Sequence, residues 1–155
     1  MGITISPWMM AFLMLMTGFA GFVDSAAGGG GLISLPAYLF AGLPPHYTYA
    51  TNKFSAACGT TFAIIAFTTL MGFDLRTANG NGKVLNLASN YASLFTYLMN
   101  GLVVFHIGIP CAVSNILGNL LGSHFALKKG ARFIRPMMLV VLVLLLGKLI
   151  SDAVL

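Results

Sequence analysis

The sequence predicts an all-α fold: a multi-pass transmembrane helical bundle with a glycine-rich re-entrant or broken helix and a partial inverted-repeat-like architecture. Three observations predict it. The chain of 155 residues is 58% hydrophobic and 7% charged, whereas ordinary soluble domains carry about 25% charged residues. A soluble fold could not hide this much apolar surface, so the solvent is a bilayer. Apolar runs of spanning length are separated by short breaks where cations gather. Four consecutive glycines, Gly28 to Gly31, interrupt the otherwise apolar stretch from Pro7 to Leu43. At about 20 residues per spanning helix, residues 1–155 have room for about five or six segments in a single transmembrane domain.

Taken in order, Pro7 to about Val23 reads as the first helix, with Pro7 suited to a first helical turn. The N-terminus lacks the basic region of a signal peptide, and more membrane sequence follows it, so it reads as part of the mature chain. Asp24 and Ser25 close that helix just before the glycines. Leu32 to Leu43 is twelve residues, only about 18 Å as a helix, and contains Pro36. That is too short for a hydrocarbon core of about 30 Å, so a half-helix or re-entrant segment is expected. Pro44-Pro45-His46 reads as a stop, Thr48 to Lys53 as a polar connection, and Phe54 to Met71 as the next helix. Gly72 to Lys83 is a polar, glycine-punctuated loop. Val84 to about Asn100 forms a span with Asn86, Ser89 and Asn90 on it. Gly101 to about Leu127 holds a tight turn and a span containing Pro110. Lys128 to Arg135 is the most basic loop, and Pro136 to about Ile150 closes the chain as an apolar helix.

The formal charge is +5, but its placement argues against nucleic acid. Arg76, Lys83, Lys128, Lys129, Arg132 and Arg135 lie at breaks between apolar runs, the pattern of loop cations facing anionic headgroups. If the first two segments dip in and return, both basic loops share one face, and the positive-inside rule makes that face cytoplasmic. A multi-pass protein of the inner (plasma) membrane is expected. Cys58 and Cys111 read as small buried hydrophobes, with neither a disulfide nor a metal implied.

An internal echo runs from Gly42–Lys53 to Gly72–Lys83, each block leading from a glycine to a lysine eleven positions later. Each lysine is expected to open a helix, with Ser55, Gly59 and Thr60 following the first and Asn86, Ser89 and Asn90 the second. Two related halves of a transporter would leave such a trace.

The stretch GFVDSAAGGGGLISLPAYLFAGLPPHYTYATNK resembles the first-repeat signature of the TauE/SafE sulfite exporter family of membrane transporters. GKVLNLASNYASLFTYLMNG and GNLLGSHFALKKGARFIRP resemble the closing part of that family's second repeat. Residues 1–72 are thus similar to the first repeat and 73–155 to the end of the second, as if shortened by an internal deletion. The resemblance implies transport of small anions, with sulfite and organosulfur compounds as the associated substrates. The second repeat's own glycine loop is missing, so two facing glycine loops cannot form within one copy. A second copy could supply the missing symmetry; otherwise the chain is a shortened, non-transporting membrane protein.

The candidate substrate-binding residues follow from membrane physics. Gly28, Gly29, Gly30 and Gly31 permit positive φ and close backbone approach, and a half-helix from Leu32 would aim its N–H groups at an anion. The alternative is tight helix packing. Asp24, a carboxylate near lipid depth, is either a proton or cation relay or a helix-end residue. Asn52 and Lys53 could attract an anion, and Lys53 could pair with Asp24 or snorkel to the interface. Thr51 reads as a site residue or a helix cap. Lys83, Asn86, Ser89 and Asn90 form the counterpart group, with Asn86 and Asn90 on one helix face that should look inward. Gly118 and Gly122 predict a close helix contact, and Asn115 and Asn119 are expected to be buried against neighbours. His46, His106 and His124 lack metal spacing. No GxSxG, HExxH or Walker signature is present, so no enzyme, cofactor or metal is expected. The expected partners are a small anionic substrate, the bilayer and a second copy, with no nucleic acid.

Overall fold

The computed structural model describes residues 5–70, 80–129, 136, 139 and 143. Five helices follow in order: α1 (Pro7–Ala27), α2 (Gly31–Phe40), α3 (Pro45–Leu70), α4 (Gly80–Met99) and α5 (Phe105–Lys129). The described elements are all helical, as the composition requires. The basic loops at 71–79 and 130–135, and most of the helix expected over 136–150, lie outside the described residues.

Local chemistry sets the ends. The Met9 amide donates to Ser6 Oγ at 3.3 Å and Pro7 occupies the first turn, so α1 starts where an N-terminal proline and a serine cap coincide. It stops at Gly28, whose φ of 76° and ψ of 166° lie in a region essentially reserved for glycine. Helix α2 ends at Gly42, φ 84°. There the Leu43 amide bonds the Tyr38 carbonyl at 3.2 Å and the Gly42 amide bonds that of Leu39 at 2.9 Å. This is a Schellman turn. Helix α4 ends in the same way: Leu102 bonds Tyr97 at 3.1 Å and Gly101 bonds Leu98 at 3.0 Å.

The two matching turns expose a repeat that the glycine-to-lysine echo misses. Ser34-Leu35-x-x-Tyr38-Leu39-x-x-Gly42-Leu43 recurs as Ser93-Leu94-x-x-Tyr97-Leu98-x-x-Gly101-Leu102, 59 positions on. Without a gap, the same offset sets Ser55 on Ser114 and Gly59 on Gly118. The hairpin α2–α3 thus matches the end of α4 and α5. The glycine break, Gly28–Gly31, falls opposite Leu87–Asn90, where α4 is continuous.

Two expected boundaries change. Thr48 to Lys53 is helical, because α3 starts at Pro45. Thr48, Thr51 and Asn52 are buried; Thr48 Oγ1 donates to the Leu43 carbonyl and Thr51 Oγ1 accepts from the Val104 amide. Polar residues with partners inside the protein need no loop to solvate them. Likewise neither Lys53 nor Lys83 opens its helix, since α4 begins at Gly80. Thr51 is inside α3 and is not its cap.

Contacts fix the directions. Ser114 meets Met14, Asn115 meets Thr17 and Gly122 meets Phe22 and Ser25, so α1 and α5 run parallel. Gly108 meets Thr51 and Phe54, while Gly59 meets Asn115 and Asn119, so α3 and α5 are parallel too. Val104, just past the end of α4, bonds Thr51 near the start of α3, so α4 runs back along α3. Leu70, Gly80 and Lys129 therefore lie at one end of the bundle, and the helix ends that border both basic loops share a face.

The packing is that of a membrane bundle. Gly118 sits against the backbone of Gly18 and Phe22, and Gly122 against Phe22 and Ser25, the small-residue contact that lets backbones approach closely. On the opposite side of α5, Ile109, Val113, Leu117 and Leu121 are exposed at every fourth residue. Trp8, Leu15 and Phe19 of α1 and Leu85 and Phe95 of α4 are exposed as well. Many large apolar groups face outward while polar ones such as Thr17, Ser34, Asn52, Asn115 and Asn119 are buried, which suits lipid as solvent. Two described stretches, Pro7–Ala26 and Phe105–Phe125, are long and apolar enough to cross a membrane.

Candidate functional site

Around the glycine break, Asp24 organises the backbone. Its carbonyl accepts the Gly28 amide at 2.9 Å and its carboxylate accepts the Gly30 amide at 3.1 Å. Gly30 is buried so closely against Ala20 and Asp24 that a side chain there would collide with both. Gly28 and Gly29 are exposed and hold positive φ of 76° and 89°. The N-terminal position of α2, which the sequence reserves for a substrate anion, is thus occupied in part by the protein's own carboxylate. A negative group at a helix N-terminus is favourable in either case.

Helix α3 presents neighbouring residues to two partners. Asn52 faces α2: Ser34 Oγ donates to Asn52 Oδ1 at 2.6 Å, and Asn52 Nδ2 lies near the side-chain position of Gly31. Lys53 faces α4, and its ammonium donates to Asn90 Oδ1 at 2.9 Å. It does not pair with Asp24. Asn90 is buried at the middle of α4, and Asn52 and Lys53 are within about 8 Å of the middle of α3. Thr61 Oγ1 and the Tyr91 hydroxyl, 3.0 Å apart, tie the next turns together.

A third polar group lies between α1, α3 and α5. Asn115 Nδ2 donates to the Thr17 carbonyl at 3.1 Å, and Asn119 Nδ2 donates to Asn115 Oδ1 at 2.8 Å. Gly21 and Gly59 make the room for these amides, since a side chain at either would collide with Asn115 and Asn119. The expected burial of both asparagines against neighbours is what the structure shows.

Of the predicted site residues, the structure joins Asp24 to Gly28 and Gly30, Gly31 to Asn52, and Lys53 to Asn90. Thr51 is used in docking the start of α5. Asn86 and Ser89 are exposed, which corrects the inward face expected for Asn86 with Asn90. The reason is geometric: α4 packs against α3 alone among the described helices, through Asn90, Tyr91, Leu94 and Tyr97, and Asn86, one turn earlier, is not covered by that contact. The Lys83 side chain lies outside the described residues. Ser34 was missed; the signal was a lone serine in the otherwise apolar half-helix. Among the described residues, no group of three or more His, Cys, Asp or Glu converges, and Cys58 and Cys111 are free thiols.

A half-length helix returning from a glycine break, with a lysine held on an asparagine between two longer helices, suits a helical membrane protein. The family model described as sulfite exporter TauE/SafE matches residues 13–68 and 56–149. The chain belongs to that family. It is similar to "Probable membrane transporter protein YfcA" of Escherichia coli (strain K12), 24% identical over an alignment of 248 positions spanning 96% of this chain and 92% of the relative. "Probable membrane transporter protein ORF9" of Sinorhizobium sp is 23% identical over 243 positions, spanning 93% of each. A "Probable membrane transporter protein" of Haemophilus influenzae is 29% identical over 152 residues, covering 97% of this chain and 59% of the relative. No solved structure matches the chain.

Proposed function

We propose that this chain carries small anions across the membrane, of the sulfite or organosulfur type. One observation carries the reading: Lys53, within about 8 Å of the middle of α3, donates to the Asn90 amide oxygen, while Asp24, the one acid among the described residues, holds the Gly30 amide. A lysine at the centre of a membrane helix costs about 2.5–3.5 kcal/mol on insertion scales. A passing anion lowers that cost by neutralising the charge, and an amide oxygen holds the ammonium without quenching it. In this reading Lys53 and Asn90 contact the anion. Asn52, Thr51 and the Gly28–Gly31 break shape the approach, and Asp24 fixes the break.

Sulfite uptake or efflux in proteoliposomes tests this. Wild type should give flux above protein-free vesicles, Lys53→Ala should lose most of it, and Lys53→Arg should keep part. Flux in Lys53→Ala equal to wild type would remove the pair from the mechanism.

A second reading is favoured by the alignment with the Escherichia coli relative, which is 248 positions long against 155 residues in this chain. The chain reaches both ends of that relative while an interior stretch has no counterpart. The working unit is then two copies, each supplying one glycine break, or the single chain does not transport. Particle mass and flux measured on the same reconstituted sample separate these outcomes. We place the basic end of the bundle in the cytoplasm of an inner-membrane protein, on the positive-inside rule.

A further inference from the structure

Among the described residues, Thr60 Oγ1 is the one buried side-chain polar atom with no hydrogen-bond partner. Thr60 is 4% exposed and sits well inside α3. Its behaviour differs from that of other helical threonines. The hydroxyls of Thr17, Thr61, Thr69 and Thr96 each bond the carbonyl four residues back. A hydroxyl buried without a partner costs about 1–3 kcal/mol, and in lipid no bulk water is at hand to offset this.

The repeat sets Thr60 against a second buried polar position. Thr60 falls opposite Asn119, as Gly59 falls opposite Gly118. Asn119 is satisfied by Asn115, four residues earlier. The residue four before Thr60 is Ala56, which has no side-chain acceptor. The placement of Thr60 then says what it could bind. It lies seven residues after Lys53, so it returns to the same face of α3 about two turns further on. Two contacts to α4 bracket it, Lys53 with Asn90 before and Thr61 with Tyr91 after. The charge on that face is the Lys53 ammonium, which repels a cation and attracts an anion. A free O–H suits an oxyanion acceptor.

We propose that Thr60 is a further substrate-contacting residue: its hydroxyl donates to a small oxyanion that has passed Lys53 along the α3–α4 contact. The proposal rests on the anion-transport reading above. The test compares Thr60→Val, which keeps the shape and removes the hydroxyl, with Thr60→Ser, which keeps the hydroxyl. Both are measured for sulfite flux in proteoliposomes and for melting in detergent with and without sulfite. The expected result is a KM raised about tenfold in Thr60→Val, restored in Thr60→Ser, with Tm without sulfite unchanged or higher. An unchanged KM in Thr60→Val overturns the proposal, as does a lower Tm without sulfite, which would show the hydroxyl bonded within the fold. If wild type gives no flux, the transport reading fails by itself, and the melting arm decides Thr60. A sulfite-induced rise in Tm that Thr60→Val loses supports the contact, and no loss overturns it.

Discussion

Asp24 and Gly30 stand on opposite sides of the break between α1 and α2, and the carboxylate of the first accepts the amide of the second at 3.1 Å. The bond turns a chain reversal into a fixed corner. It also satisfies a donor at the start of a helix that has no side-chain cap of its own. Asp24→Ala leaves that donor without its acceptor and should destabilise the protein by about 1–2 kcal/mol, the usual loss for an N-terminal cap. Asp24→Asn keeps an acceptor oxygen and should melt closer to wild type. Thermal unfolding in detergent, followed by circular dichroism, checks the order.

Gly118 touches the backbone of Gly18 and Phe22, and backbone cannot swing aside as a side chain can. Gly118→Ala must push α1 and α5 apart. The expected loss is about 1–3 kcal/mol, read as a lower Tm. Gly42→Ala, where nothing lies within 4 Å of the added methyl, meets only the penalty of its φ of 84°. Its loss, of about 1–2 kcal/mol, should leave the α1–α5 contact intact in disulfide cross-linking.

Ser34 and Asn52 join α2 to α3 through a 2.6 Å bond between buried side chains. A double-mutant cycle with Ser34→Ala and Asn52→Ala should give a coupling of about 0.6 kcal/mol, the average for such bonds in a membrane protein. Zero coupling would show that the two helices are held by packing alone.

Asn90 is buried on Lys53 and Asn86 is exposed one turn earlier. Asn90→Leu removes the acceptor that steadies the ammonium and should reduce anion flux about tenfold, the equivalent of one lost hydrogen bond to a charged group. Asn86→Leu should leave flux within about twofold of wild type, as expected for a site away from the contact. Equal losses in both would mean that the whole α4 stripe lines the route.

Much of this fold is legible in the sequence. Composition gives the solvent, the apolar runs give the long helices, and Gly28–Gly31 with Pro36 gives the short one. The boundary at Thr48–Lys53 was not legible, because polarity suggests a loop unless the partners of Thr48, Thr51 and Asn52 are known. Of those partners, Leu43, Val104 and Ser34, one lies in another helix and one in the connection before α5. The site was half legible. Asn90 stood out as a polar group in an apolar run, and Asn52 and Lys53 at the polar edge of one, but which partner each takes depends on packing. Spacing alone put Asn86 and Asn90 together; tertiary contact separated them. Thr60 could not be singled out, since whether a helical hydroxyl takes the carbonyl one turn back is not written in the residue pattern.

Helix α2 has ten residues, about 15 Å of rise, and this bears on how the protein is made. A segment that short cannot hold itself across a bilayer during synthesis. It reaches its place by docking on α1 and α3, which run in the same direction and are long enough to be retained by the lipid. The corner at Asp24 and the turn at Gly42 are therefore expected to close only after their flanking helices have inserted, so that folding as well as insertion sets the topology.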